Sequence, residues 1–265
     1  MNNSANPPIG VFDSGIGGTS ILKEINNLMP YEDTIYLSDS ANAPYGQRSS
    51  EEIIALSIKN TEYLLQKGCK IIVVACNTAT TNAIEVLRNN YNVPFIGIEP
   101  AIKPAALKTA TNVIGILATK GTLNSQLFEQ TSNTINNSIT IVEQVGEGLV
   151  ELIERGKIYS EKMTLLLKKY LQNILNKNAD CIVLGCTHYP YLIPQIRNIV
   201  GNDIHIIDSG EAVAKQTKRI LSENNLLNEE ITHKGVQSIL INSDSRPLQA
   251  ILGYRQGYTI CEVAF

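Results

Sequence analysis

The chain has 265 residues, of which 43% are hydrophobic and 18% charged, with a formal net charge of −3. This composition is typical of a globular protein, the length favours two α/β lobes over one, and the slight negative charge provides no basic field for a nucleic acid. No apolar run is long enough to span a membrane, and the N-terminus lacks the basic and apolar regions of a signal peptide, so we expect a cytoplasmic protein without a membrane partner.

Short apolar strands alternate with segments of helical length along the chain, a pattern typical of βαβ units and parallel sheets. The first predicted strand, IGVFD (9–13), leads through a glycine turn into a helix. Further strands are predicted at 34–39, 70–76 and 94–99, and the helix after the second strand ends at Gly68.

A second series of strands and helices begins at residue 112. Ile9-Gly10-Val11 corresponds to Ile114-Gly115-Ile116 at an offset of 105 residues, and Cys76 corresponds to Cys186 at an offset of 110. We interpret the halves as a diverged duplication; the alternative is chance similarity between short strand starts. A further strand and helix are predicted within 205–225.

These elements predict an α/β fold with two pseudo-symmetric lobes. Each lobe has a central, mainly parallel sheet flanked by helices. If the lobes face one another, the strand ends of both sheets flank one cleft, and the active site is expected there. Residues 1–99 and 209–265 are assigned to the first lobe, because the C-terminal residues are expected to supply its closing strands, and residues 100–208 to the second.

The five cysteines form no Cys-x-x-Cys pair, and we expect free thiols. Cys69, Cys181 and Cys261 lie beside or within apolar runs and are interpreted as small hydrophobic residues. Cys76 and Cys186 each follow a predicted strand, one residue before a predicted helix. Ligands bind at this edge of a parallel sheet, and a helix N-terminus lowers the pKa of a thiol.

Two thiols on opposite faces of one bound carbon would suit a particular reaction. One removes a proton from a stereocentre and the other delivers a proton from the far side, which inverts the configuration without a metal or cofactor. A metal site is not expected, because Cys-x-His with a distant cysteine matches zinc spacing poorly. A cysteine nucleophile with His188 as its base stays open as an alternative, although it leaves Cys76 unexplained.

Polar residues that could hold an amino acid surround both thiols. They are Asp13, Ser14, Tyr45, Gly46, Asn77, Thr78, Thr187 and His188. For Asp13, Thr78 and Thr187 the alternative is helix capping, and for His188 it is a structural or surface role. The glycines near Ser14 match neither nucleotide-binding motif, so nucleotide binding is weakly supported.

Five ordered motifs, GVFDSGIGG, SDSANAPYGQRS, ACNTATT, ATKGT and GCTHYP, resemble glutamate racemases of the aspartate/glutamate racemase superfamily. The resemblance implies two α/β lobes with pseudo-twofold symmetry, no pyridoxal phosphate or other cofactor, and a homodimer. It also implies a small-molecule substrate, L- or D-glutamate, and a role in supplying D-glutamate for bacterial peptidoglycan.

The same resemblance implies roles for individual residues. Cys76 deprotonates D-glutamate and Cys186 deprotonates L-glutamate, with Asp13 and His188 assisting. The implied substrate contacts are Asp13, Ser14, Tyr45, Gly46, Asn77, Thr78, Thr119, Thr122, Thr187 and His188. An assisting glutamate of the family matches Glu154 best, but Glu151 is close, and the sequence leaves this alternative open.

Two other functions remain open. One is racemisation of another acidic amino acid, chiefly aspartate; His188 follows Cys186-Thr187 as in glutamate racemases, whereas aspartate racemases resemble Cys-Thr-Glu there. The other is a non-catalytic amino-acid binding protein of the same fold. The presence of both cysteines, Asp13 and His188 disfavours it.

Overall fold

The computed structural model describes residues 7–135, 138–228, 232, 234–253 and 257–265. Within these ranges the strands are β1 (Ile9–Asp13), β2 (Thr34–Ser38), β3 (Ile71–Val74), β4 (Phe95–Gly97), β5 (Val113–Ala118), β6 (Thr140–Val145), β7 (Cys181–Gly185), β8 (His205–Ile207), β9 (Gln237–Ile241) and β10 (Tyr258–Glu262). They form two parallel sheets, one of six strands in the order β10-β9-β2-β1-β3-β4 and one of four in the order β6-β5-β7-β8.

Helices flank both sheets. They are α1 (Thr19–Leu28), α2 (Ser50–Gln66), α3 (Asn77–Asn90), α4 (Ile102–Lys108), α5 (Lys120–Leu123), α6 (Gln126–Asn133), α7 (Leu149–Glu154), α8 (Glu161–Leu175), α9 (Ile193–Val200), α10 (Gly210–Glu223) and α11 (Arg246–Leu252). Single turns of 3₁₀-helix lie at Ser40–Asn42, Tyr45–Gln47 and Tyr189–Leu192. The end of α2 follows the prediction: Gly68 has a φ of +80°, a conformation that glycine adopts without steric cost.

The two sheets share one strand order. In each, the first strand along the chain lies between the second and the third, and the fourth lies beyond the third. The residues of β1, β3 and β7 are buried on both faces, as expected for parallel strands covered by helices. The predicted two-lobed α/β fold is confirmed, and the shared order supports the interpretation of a diverged duplication.

The C-terminal strands extend the first sheet, because β9 pairs with β2 and β10 pairs with β9. The first sheet therefore draws its strands from residues 9–97 and 237–262, and the second from 113–207. The predicted lobe limits near residues 99 and 209 fall outside these strands and stay a prediction.

One buried apolar cluster crosses from one lobe to the other, and it includes Ile21, Val213, Leu171 and Ile182. The lobes are thus joined by packed side chains as well as by the chain itself. No helix in the described ranges combines the length and apolar character needed to cross a bilayer.

Cys69 and Cys181 are buried, as predicted for small hydrophobic residues. Burial raises the pKa of the Cys69 thiol to about 12. The prediction is wrong for Cys261, which is exposed. Cys261 lies on β10, the edge strand of the first sheet, where helices leave one face open to water.

Candidate active site

Cys76 and Cys186 lie at the carboxyl ends of corresponding strands and line one enclosed space between the lobes. Ten of the predicted site residues line it: Ser14, Tyr45, Gly46, Cys76, Asn77, Thr78, Thr119, Cys186, Thr187 and His188. Asp13, Thr122 and Glu154 stand behind this lining and contact it. The packing of the lobes thus brings together residues that the sequence scatters over 176 positions, from 13 to 188.

Cys76 caps the N-terminus of α3, and its Sγ accepts a hydrogen bond from the backbone N–H of Ala79 at 3.4 Å. The thiol lies 3.6 Å from the Ser14 hydroxyl. Burial and the negative charge of Asp13 raise the pKa of Cys76 well above its usual value. The sequence predicted a lowered pKa from the helix N-terminus alone; that prediction is wrong here, because burial outweighs the helix contribution.

Asp13 is fully buried at the end of β1. Its Oδ1 accepts a hydrogen bond from Ser14 N at 2.7 Å, and its Oδ2 accepts bonds from Gly18 N at 2.5 Å and from the Thr187 hydroxyl at 3.1 Å. Burial raises the pKa of Asp13, while the charge of His188 opposes that rise. Asp13 therefore orders the loop before α1 and also contacts the second lobe, but it is not the helix cap of the alternative interpretation, because Gly18 occupies the N-cap of α1.

On the other side of the space, Cys186, His188 and Glu154 form a chain. The Sγ of Cys186 is 3.7 Å from Nδ1 of His188, and Nε2 of His188 is 2.5 Å from Oε1 of Glu154. Burial lowers the pKa of His188, but hydrogen bonds with Cys186 and Glu154 and their negative charges raise it well above its usual value. A protonated imidazole beside a cysteine can return a proton to its thiolate.

Glu151, the alternative left open by the sequence, has a different hydrogen-bond partner from Glu154. Its Oε1 accepts a hydrogen bond from the exposed side chain of Gln47. The carboxylate that contacts His188 is that of Glu154, whose side chain is only 13% exposed.

The sequence placed Cys186 one residue before a helix, and the structure differs. After β7 ends at Gly185, residues 186–188 form a turn, and the 3₁₀ turn begins at Tyr189. The backbone N–H of Tyr189 donates to the carbonyl of Cys186 at 3.1 Å and closes this turn before the 3₁₀ residues. Cys186 therefore lacks the helix cap that holds Cys76, and His188 is its polar neighbour instead.

Glu154 also bonds to the first lobe. Its Oε1 accepts a hydrogen bond from Ile16 N at 2.7 Å, and its Oε2 accepts one from the Ser40 hydroxyl at 2.9 Å. Analysis of the sequence missed Ser40. The sequence feature that could have identified Ser40 is its place in the motif SDSANAPYGQRS, directly after the predicted strand at 34–39.

Tyr45 is held by a buried network that the sequence also did not reveal. The Tyr45 hydroxyl donates to Oδ2 of Asp39 at 2.5 Å and accepts from Asn60 at 3.0 Å. The other oxygen of Asp39 accepts from Asn42 and Asn242. Asp39 thus fixes the loop that carries Tyr45 and Gly46 at the mouth of the enclosed space.

Three threonine hydroxyls, from Thr78, Thr119 and Thr122, form a triangle across the lobes. Thr78 and Thr119 are 2.9 Å apart, Thr119 and Thr122 3.0 Å, and Thr78 and Thr122 3.4 Å. Because these hydroxyls can each donate or accept, they could turn toward a carboxylate.

Asn77 offers a further binding group. Its side chain is buried, and within the described part of the chain neither its amide nitrogen nor its oxygen has a hydrogen-bond partner. Buried polar atoms are normally paired, so an unpaired amide that lines a cavity is a candidate ligand contact.

The enclosed space is nearly closed in this structure. Its volume is about 10 Å³, room for about one water molecule. A wider cavity of about 900 Å³ adjoins it and shares four lining residues, Pro44, Gly46, Thr119 and Val150. A space of this volume cannot hold an amino acid, so the residues that line it must move apart before one binds beside the thiols.

No group of three or more histidine, cysteine, aspartate or glutamate side chains is arranged to hold a metal ion in the described ranges. The arrangement instead offers two thiols, each with its own acid–base partner: Asp13 for Cys76, and His188 with Glu154 for Cys186.

The chain is similar to known proteins over most of its length. The pattern of the Asp/Glu/Hydantoin racemase family matches residues 9–217. A glutamate racemase of Herpetosiphon aurantiacus is 45% identical over 230 residues, which is 87% of this chain and 91% of the relative. A glutamate racemase of Ralstonia pickettii is 42% identical over 252 residues, which is 95% of this chain and 89% of the relative.

The fold has a close counterpart among solved structures. Glutamate racemase of Escherichia coli, solved with L-glutamate and the activator UDP-MurNAc-Ala, superposes with a TM-score of 0.83 at 30% identity. The superposition covers 97% of each chain.

Proposed function

The chain belongs to the Asp/Glu/Hydantoin racemase family, and on this basis we propose that it interconverts L-glutamate and D-glutamate by inverting Cα. The relatives named glutamate racemase at 45% and 42% identity support this substrate. The structural observation that carries the proposal is that Cys76 and Cys186, from different lobes, line one space, each beside its own acid–base partner.

The two thiols exchange roles when the direction of the reaction is reversed. With D-glutamate, Cys76 takes the Cα proton and Cys186 gives a proton to the opposite face; with L-glutamate the roles reverse. The cysteine that acts as the base must be a thiolate, so the proton that its thiol loses needs an acceptor. Asp13 accepts the proton of Cys76, and His188, held by Glu154, exchanges a proton with Cys186.

The remaining residues bind the amino acid. The two carboxylates of glutamate need hydrogen-bond donors, and Ser14, Thr78, Thr119, Thr122 and Thr187 supply hydroxyls. The Asn77 amide and the backbone around Tyr45 and Gly46 add further contacts. The unpaired Asn77 amide supports this assignment.

In the cell the product is D-glutamate for peptidoglycan. The proposed setting is the cytoplasm, and the proposed assembly is a homodimer. No cofactor takes part, because the two thiols supply both proton transfers.

The test uses purified, dialysed protein in a chelating buffer with L-glutamate or D-glutamate. Chiral chromatography should show conversion toward equal amounts of both enantiomers, from either side. Activity that requires added pyridoxal phosphate or zinc would contradict the cofactor-free reaction.

The same assay decides between the alternatives. Faster racemisation of aspartate would identify an aspartate racemase, and binding of glutamate without conversion would identify a non-catalytic relative. Light scattering on the active protein tests the homodimer, and an active monomer would refute it.

A further inference from the structure

Ser40 contacts the reaction machinery without contacting the enclosed space. It lies in a 3₁₀ turn after β2, in the first lobe, and is absent from the lining of both cavities described above. Its hydroxyl reaches across the lobes to Oε2 of Glu154 at 2.9 Å. The contact joins residues 114 positions apart.

The carboxylate of Glu154 has a specific set of partners. Oε1 of Glu154 bonds to Nε2 of His188 and to the backbone N–H of Ile16. Because both bonds end on the same oxygen, they would still let the carboxylate rotate about Oε1. Oε2 is held by Ser40. With both oxygens fixed, the carboxylate plane and its distance to Nε2 of His188 are fixed as well.

The orientation of the Glu154 carboxylate affects the Cys186 thiol through the imidazole of His188. His188 is 1% exposed and bonds through its two nitrogens to Cys186 and Glu154. A ring held at both ends can tilt only if one partner moves. A displaced Glu154 carboxylate therefore changes the distance and angle between Nδ1 of His188 and Sγ of Cys186.

From these contacts we infer that Ser40 is a positioning residue of the first lobe that aligns Glu154 and His188 for proton exchange at Cys186 in the second. The inference rests on the proposed racemase function. The corresponding contact on the other side is the bond from the Thr187 hydroxyl to Asp13, so each lobe supplies a donor to the carboxylate of the other.

A purely structural role is the alternative. Ser40 Oγ also lies 3.1 Å from the Ser38 hydroxyl, and its loop bears Asn42, which bonds to Asp39. Loss of a loop contact would weaken both half-reactions or the fold as a whole. Loss of a positioning contact would weaken only the proton transfer at Cys186.

The first experiment measures glutamate racemisation by Ser40→Ala, Ser40→Thr and the control Ser57→Ala. Ser57 is a buried serine of α2 whose hydroxyl donates to the carbonyl of Ile53 on the same helix. Ser40→Ala should lower kcat roughly tenfold with KM changed less than about twofold, because alignment is lost and binding is not. Ser40→Thr keeps a hydroxyl and should recover most of kcat, and Ser57→Ala should match the wild type.

The second experiment separates the two half-reactions with the L and D forms of glutamate that carries chlorine on its β-carbon. A single base removes the Cα proton, and the electron pair left on Cα expels chloride, whose release is measured. Ser40→Ala should slow chloride release from the same enantiomer that Cys186→Ser slows, and leave the other enantiomer close to wild type. Equal loss with both enantiomers would overturn the inference.

A double-mutant cycle provides the third readout. If Ser40 acts through Glu154, then Ser40→Ala should have little further effect on kcat in a Glu154→Ala background. Fully additive losses would refute the inference. A wild type that does not racemise glutamate would instead refute the proposed function, so the two failures are distinguishable.

Discussion

Oε1 of Glu154 lies 2.5 Å from Nε2 of His188, whereas Glu151, one turn earlier in α7, bonds to Gln47 near the surface. The carboxylate that matched best in the sequence and its open alternative therefore have different surroundings. Only Glu154 can fix the imidazole and stabilise its charge.

The first prediction compares the two glutamates as a matched pair. Glu154→Gln should lower kcat about 10²-fold, because the neutral amide no longer stabilises the imidazolium that serves Cys186. Glu151→Gln should stay within about twofold of the wild type, because an exposed hydrogen bond contributes little. Steady-state racemisation of glutamate measures both variants. A larger loss for Glu151→Gln would show that the assignment is reversed.

The second prediction concerns the two thiols. Because inversion needs both and a serine hydroxyl is far less acidic, Cys76→Ser and Cys186→Ser should each lower racemisation by about 10²–10⁴-fold. Elimination from β-chloroglutamate needs one deprotonation only. Cys76→Ser should therefore process the L form preferentially, and Cys186→Ser the D form. Wild-type racemisation by either variant would refute the two-thiol mechanism.

The third prediction concerns ionisation of Cys76. Burial and the charge of Asp13 raise the pKa of this thiol. Asp13→Asn removes the charge and leaves the burial, so the pKa should fall while remaining above that of a free thiol. Alkylation by iodoacetamide, followed by mass spectrometry of the Cys76 peptide, should reach its midpoint at lower pH in Asp13→Asn.

Exposed Cys261 serves as the internal reference in that experiment, because its labelling should not change with the variant. An unchanged Cys76 profile would mean that Asp13 does not influence the thiol.

The fourth prediction concerns stability against pH. Burial is the largest single influence on the pKa of Asp180 and raises it, but hydrogen bonds from the Thr109 hydroxyl and from the backbone N–H groups of Ala110 and Thr111 together outweigh burial and lower the pKa to about 2. A lowered carboxyl pKa stabilises the fold above the unfolded-state value of 3.8, and the stabilisation is lost as the pH falls toward 2.

Asp180→Asn should therefore lower the free energy of unfolding at pH 7 by about 1 kcal/mol, a figure reduced for solvent screening. The difference from wild type should shrink below about pH 4. Urea unfolding at several pH values measures it. Asp203→Asn is the control, because Asp203 is exposed in the same lobe. A difference that stays constant between pH 7 and pH 3 would contradict the prediction.

Much of the fold follows from local sequence. The apolar runs at 9–13 and 181–185 predict strands because they are short and a strand buried on both faces carries few polar residues. Strand ends were less certain. The run at 70–76 ends as a strand at Val74, because Cys76 caps α3 instead of continuing the ladder.

Some elements had no local signal strong enough to locate them. β6 carries Glu143 and Gln144 within a half-exposed strand, and β9 and β10 were expected only as unspecified closing strands. Half-exposed strands mix polar and apolar residues, so their sequence pattern is difficult to distinguish from that of loops.

For the site, the sequence by itself determined the candidates: two cysteines after two similar strands, Asp13 at the end of the first strand, and His188 two positions after the second cysteine. Only the tertiary structure decided how they are connected. Thr187 bonds to Asp13 over 174 positions and Ser40 to Glu154 over 114, and these contacts exist because the two lobes pack with their strand ends facing. The pKa of Cys76 also depends on the tertiary structure, because burial is produced by every segment that covers the thiol. The local sequence indicates only the helix that follows Cys76.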